Sequence, residues 1–175
     1  MRLWTTIAAA LLLPMLAAAN PMRPAELGQM SAEMEHVGSS SVGFLFWDAF
    51  DANLWAPEGR FSWERPAALS LTYRTDFSKR KLTDSTIKEM KRISGWKPER
   101  LADFRANIAP CMSDVVAGDR FTAASPTPDR IVLYLNGEQR CDLTEPGLRR
   151  AYLGIWLSQN SRFPDESRKL LGATP

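Results

Sequence analysis

The most hydrophobic stretch beyond residue 20 runs from Val42 to Ala56 and reads V-G-F-L-F-W-D-A-F-D-A-N-L-W-A, closed by a Pro57-Glu58-Gly59 turn. Alternation sets Phe44, Phe46, Asp48, Phe50, Ala52 and Leu54 on one face. Leu45, Trp47, Ala49, Asp51, Asn53 and Trp55 fall on the other. Both faces carry apolar residues, which predicts one strand covered on both sides, with a bulge near Asp48 able to shift its register. The segment Val37-Gly38-Ser39-Ser40-Ser41 reads as a flexible lead into it, and residues 20–36 as an N-terminal arm or short strand.

Further along, Ala67, Leu69, Leu71 and Tyr73 alternate with Ser70, Thr72 and Arg74, the pattern of a half-exposed antiparallel strand. Thr83 is placed to cap a helix reaching about Ile93, with Ile87 and Met90 inward. Pro98 opens a second helix with an apolar stripe of Leu101, Phe104 and Ile108, which Pro110 ends. Residues 119–124 and 130–135 read as strands, and Asn136-Gly137 as a hairpin turn into a return strand over 138–143. A third helix, capped near Thr144, buries Leu148, Tyr152, Ile155 and Trp156; a fourth, over 164–171, stops at Gly172. Strands, then helices, then strands, then helices predict an α+β domain: an antiparallel β-sheet packed on one face by helices.

The chain's first residues bear on where it works. Arg2, an apolar run from Leu3 to Leu16 and Ala17-Ala18-Ala19 form the pattern of a secretory signal peptide. The reading divides the chain into a signal peptide over 1–19, an arm over 20–36 and a domain over 37–172. Cleavage after Ala19 would leave a periplasmic or secreted protein without a transmembrane segment; an uncleaved anchor is the alternative. Loss of Arg2 lowers the formal net charge from +2, which gives no electrostatic case for nucleic-acid binding. The basic clusters Arg149-Arg150 and Lys79-Arg80-Lys81 read as solvated faces, the second having Asp76 and Asp84 beside it. Cys111 and Cys141 are the chain's 2 cysteines. In an oxidising compartment they read first as a disulfide, with two buried free thiols or a redox pair as the alternatives, the latter lacking C-x-x-C spacing.

Several segments resemble the bacterial exported branch of the chalcone isomerase-like family. They are F-W-D-A-F-D-A-N-L-W-A-P (Phe46 to Pro57), L-T-Y-R-T-D-F (Leu71 to Phe77), T-I-K-E-M (Thr86 to Met90), V-V-A-G-D-R-F (Val115 to Phe121) and L-G-I-W-L (Leu153 to Leu157). The resemblance implies the chalcone isomerase fold, a large antiparallel sheet against a layer of helices with a ligand cleft between them. The plant enzymes of that family close a chalcone to a flavanone. They use an arginine just before a long central strand, with a threonine, a tyrosine and an asparagine around the cleft. Here no arginine or lysine occurs from Glu35 to Gly59, and the threonine's place falls near Asp48, whose charge would repel a phenolate. Neither Tyr73 nor Tyr134 matches the catalytic tyrosine clearly.

No catalytic residue is therefore assigned, and fold likeness alone transfers no activity. His36, the single histidine, reads as solvent-facing beside Glu35. No clustered metal ligands, cofactor motif, nucleophile elbow or phosphate loop is present. The leading expectation is a non-catalytic protein that binds an amphipathic small molecule, such as a fatty acid, in the cleft. Phe46, Asp48, Phe50, Tyr73, Arg74, Arg120 and Tyr152 are the candidate contacts, with Arg74 or Arg120 as the cation for a carboxylate. The same aromatic residues would equally fill an ordinary core. Asp51 is expected to pair with Arg74 or Arg120. Two other readings stand beside this one. One is an isomerase or lyase of the chalcone isomerase type, using His36 or Asp48. The other is an envelope structural protein whose partner docks on Trp63 and Trp96.

Overall fold

The computed structural model describes residues 21–44 and 47–173. The expected leader, Phe46 and the side chain of Asp48 lie outside the described residues. In chain order the elements are β1 (Glu35–Phe44), β2 (Trp47–Ala56), β3 (Ala67–Tyr73), α1 (Lys79–Ile93), α2 (Pro98–Ile108), β4 (Arg120–Ser125), β5 (Arg130–Leu135), β6 (Glu138–Thr144), α3 (Leu148–Leu157) and α4 (Pro164–Leu170). The strands pair in sequence order as one antiparallel meander. The helices cover one face of it, as the element order predicts. Leu54, Leu69, Ile131 and Leu133 from the sheet meet Met90, Phe104, Ile108, Leu148 and Leu153 from the helices, each at most 1 % exposed. No helix among the described residues is long and apolar enough to cross a membrane.

The apolar run is two strands rather than one. β1 ends at Phe44 and β2 begins at Trp47, and the serine-rich lead belongs to β1. Serine has weak strand propensity, and Gly43 is the single turn-type residue near the end of β1, so the apolar pattern passes from one strand to the next with little punctuation. Ser39 and Ser41 are held by partners on β2: Ser39 Oγ donates to Asn53 Oδ1 at 2.6 Å and Ser41 Oγ to Asp51 Oδ1 at 2.7 Å. Gly38 sits at a bulge in this edge strand, where a Cβ would lie 2.2 Å from the Lys169 carbonyl oxygen of α4. Only glycine allows that approach.

Helix starts also differ from expectation. Ser78, not Thr83, caps α1, its side chain accepting from the Lys81 amide at 3.2 Å. Thr83 lies inside the helix, donating to the Lys79 carbonyl. Gly147, in the left-handed region at φ 72°, precedes α3 in place of Thr144. The Asn136-Gly137 hairpin is present as expected, with both residues at positive φ.

β3 is buried on both faces, not half exposed. A 3-10 turn, Ala25–Gln29, lays Leu27, with Met34 beyond it, over Trp55, Ala68, Ala124, Val132 and Tyr134 on the face away from the helices. The arm is thus a second cover for the sheet. Ser70, expected at the surface, is 2 % exposed and accepts from the Trp55 indole at 3.2 Å.

Two covalent or polar ties hold the helical layer. Cys111, just after α2, and Cys141 on β6 form a disulfide with Cα atoms 5.5 Å apart. Arg149, read as surface-facing, is 1 % exposed. Its guanidinium donates to Ser125 Oγ at 2.9 Å, the Ser125 carbonyl at 3.0 Å and the Trp63 carbonyl at 2.9 Å. It therefore ties α3 to the end of β4 and to the loop before β3.

Replacing Arg149 by Met should destabilise the fold by about 3 kcal/mol, because buried carbonyls lose their donors. A urea midpoint unchanged from the parent would contradict this. Replacing both cysteines by serine opens a loop of 30 residues and should cost roughly 3 kcal/mol in the chain-entropy picture. That loss should match the effect of reductant on the parent in the same urea titration.

Candidate functional site

Tyr73 closes β3 on the helix-facing side, and Tyr152 reaches the same region from α3. Each is 6 % exposed. Tyr73 is ringed edge-to-face by Phe50 at 6.1 Å, Phe77 at 5.6 Å and Phe121 at 6.4 Å between centroids. Tyr152 lies 5.7 Å from Trp156. Register explains the gathering. Phe50 pairs with Tyr73 across β2 and β3, and Leu71 pairs with Phe121 across β3 and β4, so their side chains share a face. Phe77 joins them because its backbone bridges to Val115 just beyond the strand.

Burial pushes the Tyr73 phenol well above its ordinary range, and the neighbouring Tyr152 phenol adds to the shift. Burial alone raises Tyr152 in the same sense. Both therefore remain neutral donors at physiological pH. Neither hydroxyl makes a hydrogen bond to another described residue. Both phenols thus sit beside aromatic rings, in one core, with their hydrogen-bonding capacity unused by described residues.

The two candidate cations lie on the opposite face. Arg74 follows Tyr73 directly and turns the other way. Its guanidinium grips Asp51 in bidentate fashion, at 2.8 and 2.7 Å, and also donates to Ser41 at 3.4 Å. Burial opposes ionisation of Asp51, but hydrogen bonds from Arg74 and Ser41 outweigh it and hold its carboxyl below the usual range. Of the two pairings expected for Asp51, the Arg74 one is present.

Arg120 is engaged by the chain's own carboxylate. Its Nη2 lies 3.1 Å from both oxygens of Glu26, whose side chain is 1 % exposed, and Thr122 donates to the same carboxylate at 2.6 Å. Arg120 Nε is buried without a partner among the described residues. Glu26 carried no sequence signal of its own, since nothing in the arm marks which face it will cover.

The expected site therefore splits. Phe50 and Tyr73 meet under the helices and Tyr152 lies in the same core, whereas Arg74 and Arg120 face away. β1 and β2 slip register between the Val42–Phe50 and Gly43–Asp48 pairs, so the alternation that set Asp48 beside Phe50 is broken there. Phe77 and Phe121 carry no sequence signal of their own as site residues. The register of Phe121 against Leu71 was the usable signal, and it needs the β3–β4 pairing to be known. His36 is half-buried rather than solvent-facing. Its ring stands edge-on to Trp55 at 5.2 Å, and Nε2 lies 2.8 Å from Ser39 Oγ. Burial lowers its pKa, against the opposing effects of hydrogen bonds involving Asn53 and Gly38. Trp63 and Trp96 are also half-buried. Arg150 lies over the first at 5.1 Å and Arg100 over the second at 3.6 Å, so both faces offered for a partner are already covered in part. Among the described residues no group of three or more His, Cys, Asp or Glu could hold a metal ion.

Two open grooves mark the surface. One, of about 470 Å³, is lined by Ser78, Lys79, Arg80, Thr83, Arg105 and neighbours. The other, of about 290 Å³, lies between α2 and β6 at Phe104, Asn107 and Asp142 to Glu145. Neither is lined by Tyr73 or Tyr152, and the tyrosine cluster is packed beneath the helices.

No curated protein matches the chain in sequence. Among solved structures, a fatty-acid-binding protein of Arabidopsis thaliana shares the fold, with a TM-score of 0.61 and 9 % identity over 79 % of this chain and 87 % of that one. The chalcone isomerase-like family matches residues 60–172, from the turn before β3 to the end of the last helix. The chain belongs to the chalcone isomerase-like family.

Proposed function

We propose that the protein is exported and binds an amphipathic small molecule, such as a fatty acid, without catalysis. The apolar part of the ligand would lie among the aromatic side chains beneath the helices, its polar head on Tyr73 and Tyr152. The observation that carries this reading is a pair of tyrosines, each 6 % exposed, whose hydroxyls make no hydrogen bond to a described residue. The fold shared with a plant fatty-acid-binding protein supports it, as does the leader pattern over residues 1–19 for export.

The chemistry of the site sets its preference. Two neutral phenols donate hydrogen bonds but do not offset a full charge, and both candidate arginines face the other way. A neutral head is therefore favoured over an anionic one, since a buried carboxylate without a cation is costly. Entry requires the helices to part from the sheet at the cluster, beside Trp156, so intrinsic fluorescence will report it.

The test compares a saturated fatty alcohol with the fatty acid of equal chain length, titrated into the protein purified as it matures. The alcohol should bind at least as tightly as the acid at pH 7. The acid should gain affinity as pH falls toward the carboxylic range of about 4–5, while the alcohol's affinity stays constant. Tyr73→Phe and Tyr152→Phe should each weaken the alcohol by about tenfold. Absence of binding for both ligands, or unchanged binding in both variants, defeats the proposal. An intact mass of the exported protein beginning at Asn20 would establish the export step; an uncleaved mass would remove it.

The tyrosines also carry a signature in base. Their folded pKa values lie above the unfolded one, so the folded state holds protons that the unfolded chain releases. Stability contributed this way is complete below about pH 10 and declines above it. Unfolding midpoints measured from pH 8 upward should fall more shallowly in the Tyr73→Phe/Tyr152→Phe double variant than in the parent. Equal slopes would mean that the phenols ionise normally in the fold.

A further inference from the structure

At the end of the sheet where β3 passes into α1, three consecutive cations, Lys79, Arg80 and Lys81, are exposed. Arginines elsewhere on the surface are mostly matched with carboxylates: Arg60 and Arg65 with Glu58, Arg74 with Asp51, Arg130 with Asp142, and Arg162 with Glu89. Lys79, Arg80 and Lys81 form no ion pair with a described residue. Their position in the first turn of α1 is one that the helix dipole disfavours for cations, so helix stability does not account for them.

The acids nearby are turned to other work. Asp114 accepts the Lys79 amide at 2.6 Å, Asp76 the Ala117 amide at 3.2 Å, and Asp84 pairs with Arg105. The same end carries exposed apolar surface. Val116 is 56 % exposed on the segment that bridges to Phe77, and Ala117 and Gly118 beside it are exposed too. Lys81 Nζ stands 4.8 Å over the Phe77 ring, and that ring contacts Tyr73 at 5.6 Å. The cation patch thus connects through one aromatic side chain to the buried phenol.

We infer that Lys79, Arg80, Lys81 and Val116 form a docking surface for a membrane bearing anionic headgroups. Cations lie at the headgroup level while Val116 enters the interfacial region, a combination of charge attraction and apolar contact suited to a lipid surface. The inference deepens the binding reading by naming the ligand's source, and rests on it only for that purpose. The end that touches the bilayer is the end at which an acyl chain would pass Phe77 toward Tyr73.

The full chain, purified as it matures, is floated with vesicles of phosphatidylglycerol mixed with phosphatidylcholine, and with vesicles of phosphatidylcholine alone. Binding should favour the anionic vesicles and weaken with added salt. The variant Lys79→Gln/Arg80→Gln/Lys81→Gln keeps good helix formers on exposed positions. It should lose affinity on the order of 10²-fold, at about fivefold per cation. A control, Lys97→Gln/Lys169→Gln, with both positions exposed, should bind like the parent. Equal binding to both vesicle types, which an uncleaved apolar leader would give, overturns the inference, as does a triple variant that binds like the parent. Competition by inorganic phosphate at matched ionic strength would also overturn it, showing a site for free anions. Fatty-alcohol affinity measured without vesicles should be unchanged in the triple variant. Loss of vesicle docking therefore fails this inference alone, and loss of alcohol binding in the parent fails only the earlier one.

Discussion

A strand presents successive side chains to opposite faces, and this alternation at the end of β3 organises the candidate site. Tyr73 and Arg74 are neighbours in sequence, yet the sheet stands between their functional groups. Tyr73 lies under the helices with Phe50 and Phe121. Arg74 reaches Asp51 on the other side. No side-chain rotation brings the two to one ligand while β3 stays paired with β2 and β4. A one-residue slip would exchange them, but it would also turn Leu69 and Leu71 out of the core. The tyrosine's burial and the arginine's exclusion from the site are therefore consequences of one register.

The second face of the sheet imposes its own requirement. Trp55, Ala68, Ala124 and Val132 form an apolar surface that the helices do not reach, and the arm supplies Leu27 and Met34 to cover it. Covering it this way brings Glu26 into the interior, where its charge must be met. Arg120 and Thr122 do so from adjacent outward positions on β4, two residues apart along the strand. Breaking such a buried pair by removing one partner is far more damaging than its net contribution suggests, because the remaining charge stays behind. Arg120 is thereby committed to holding the arm in place.

Legibility in the sequence followed the length and regularity of each pattern. β3, α2, the β5–β6 hairpin and α4 lie close to where periodicity and punctuation place them, because Pro98, Asn136-Gly137 and Gly172 act locally. The β1–β2 hairpin was hidden by an apolar run that continues across the reversal, and by serines whose strand role depends on Asn53 and Asp51 opposite. Ser78 gives little sequence signal as a cap because Lys79-Arg80-Lys81 is a polar opening for a helix, whereas Thr83 stands just before the periodic residues. Half of the site was visible for a similar reason. Phe50, Tyr73 and Tyr152 lie on faces that alternation or helical spacing assigns. Phe121 required the pairing of β3 with β4, and the role of Arg120 required knowing where Glu26 comes to rest. A charged doublet such as Arg149-Arg150 ordinarily signals solvent, and only Ser125 and the Trp63 carbonyl explain the burial of Arg149.

The distribution of charge also bears on the isomerisation that plant enzymes of this family perform. Closing a chalcone passes through a phenolate and an enolate-like species, and a site for that chemistry needs positive charge or strong donors aimed at the developing anion. The stretch from Glu35 to Gly59, where the plant arginine would be expected, contains no arginine or lysine. Arg74 and Arg120 are held by Asp51 and Glu26 on the far face. Tyr73 and Tyr152 remain, and the burial that keeps them neutral also makes them poor bases for abstracting a phenol proton. What two neutral donors in an aromatic enclosure do well is hold a polar head that carries no full charge. This distribution of charge is what the proposed binding reading, rather than turnover of a chalcone, draws on.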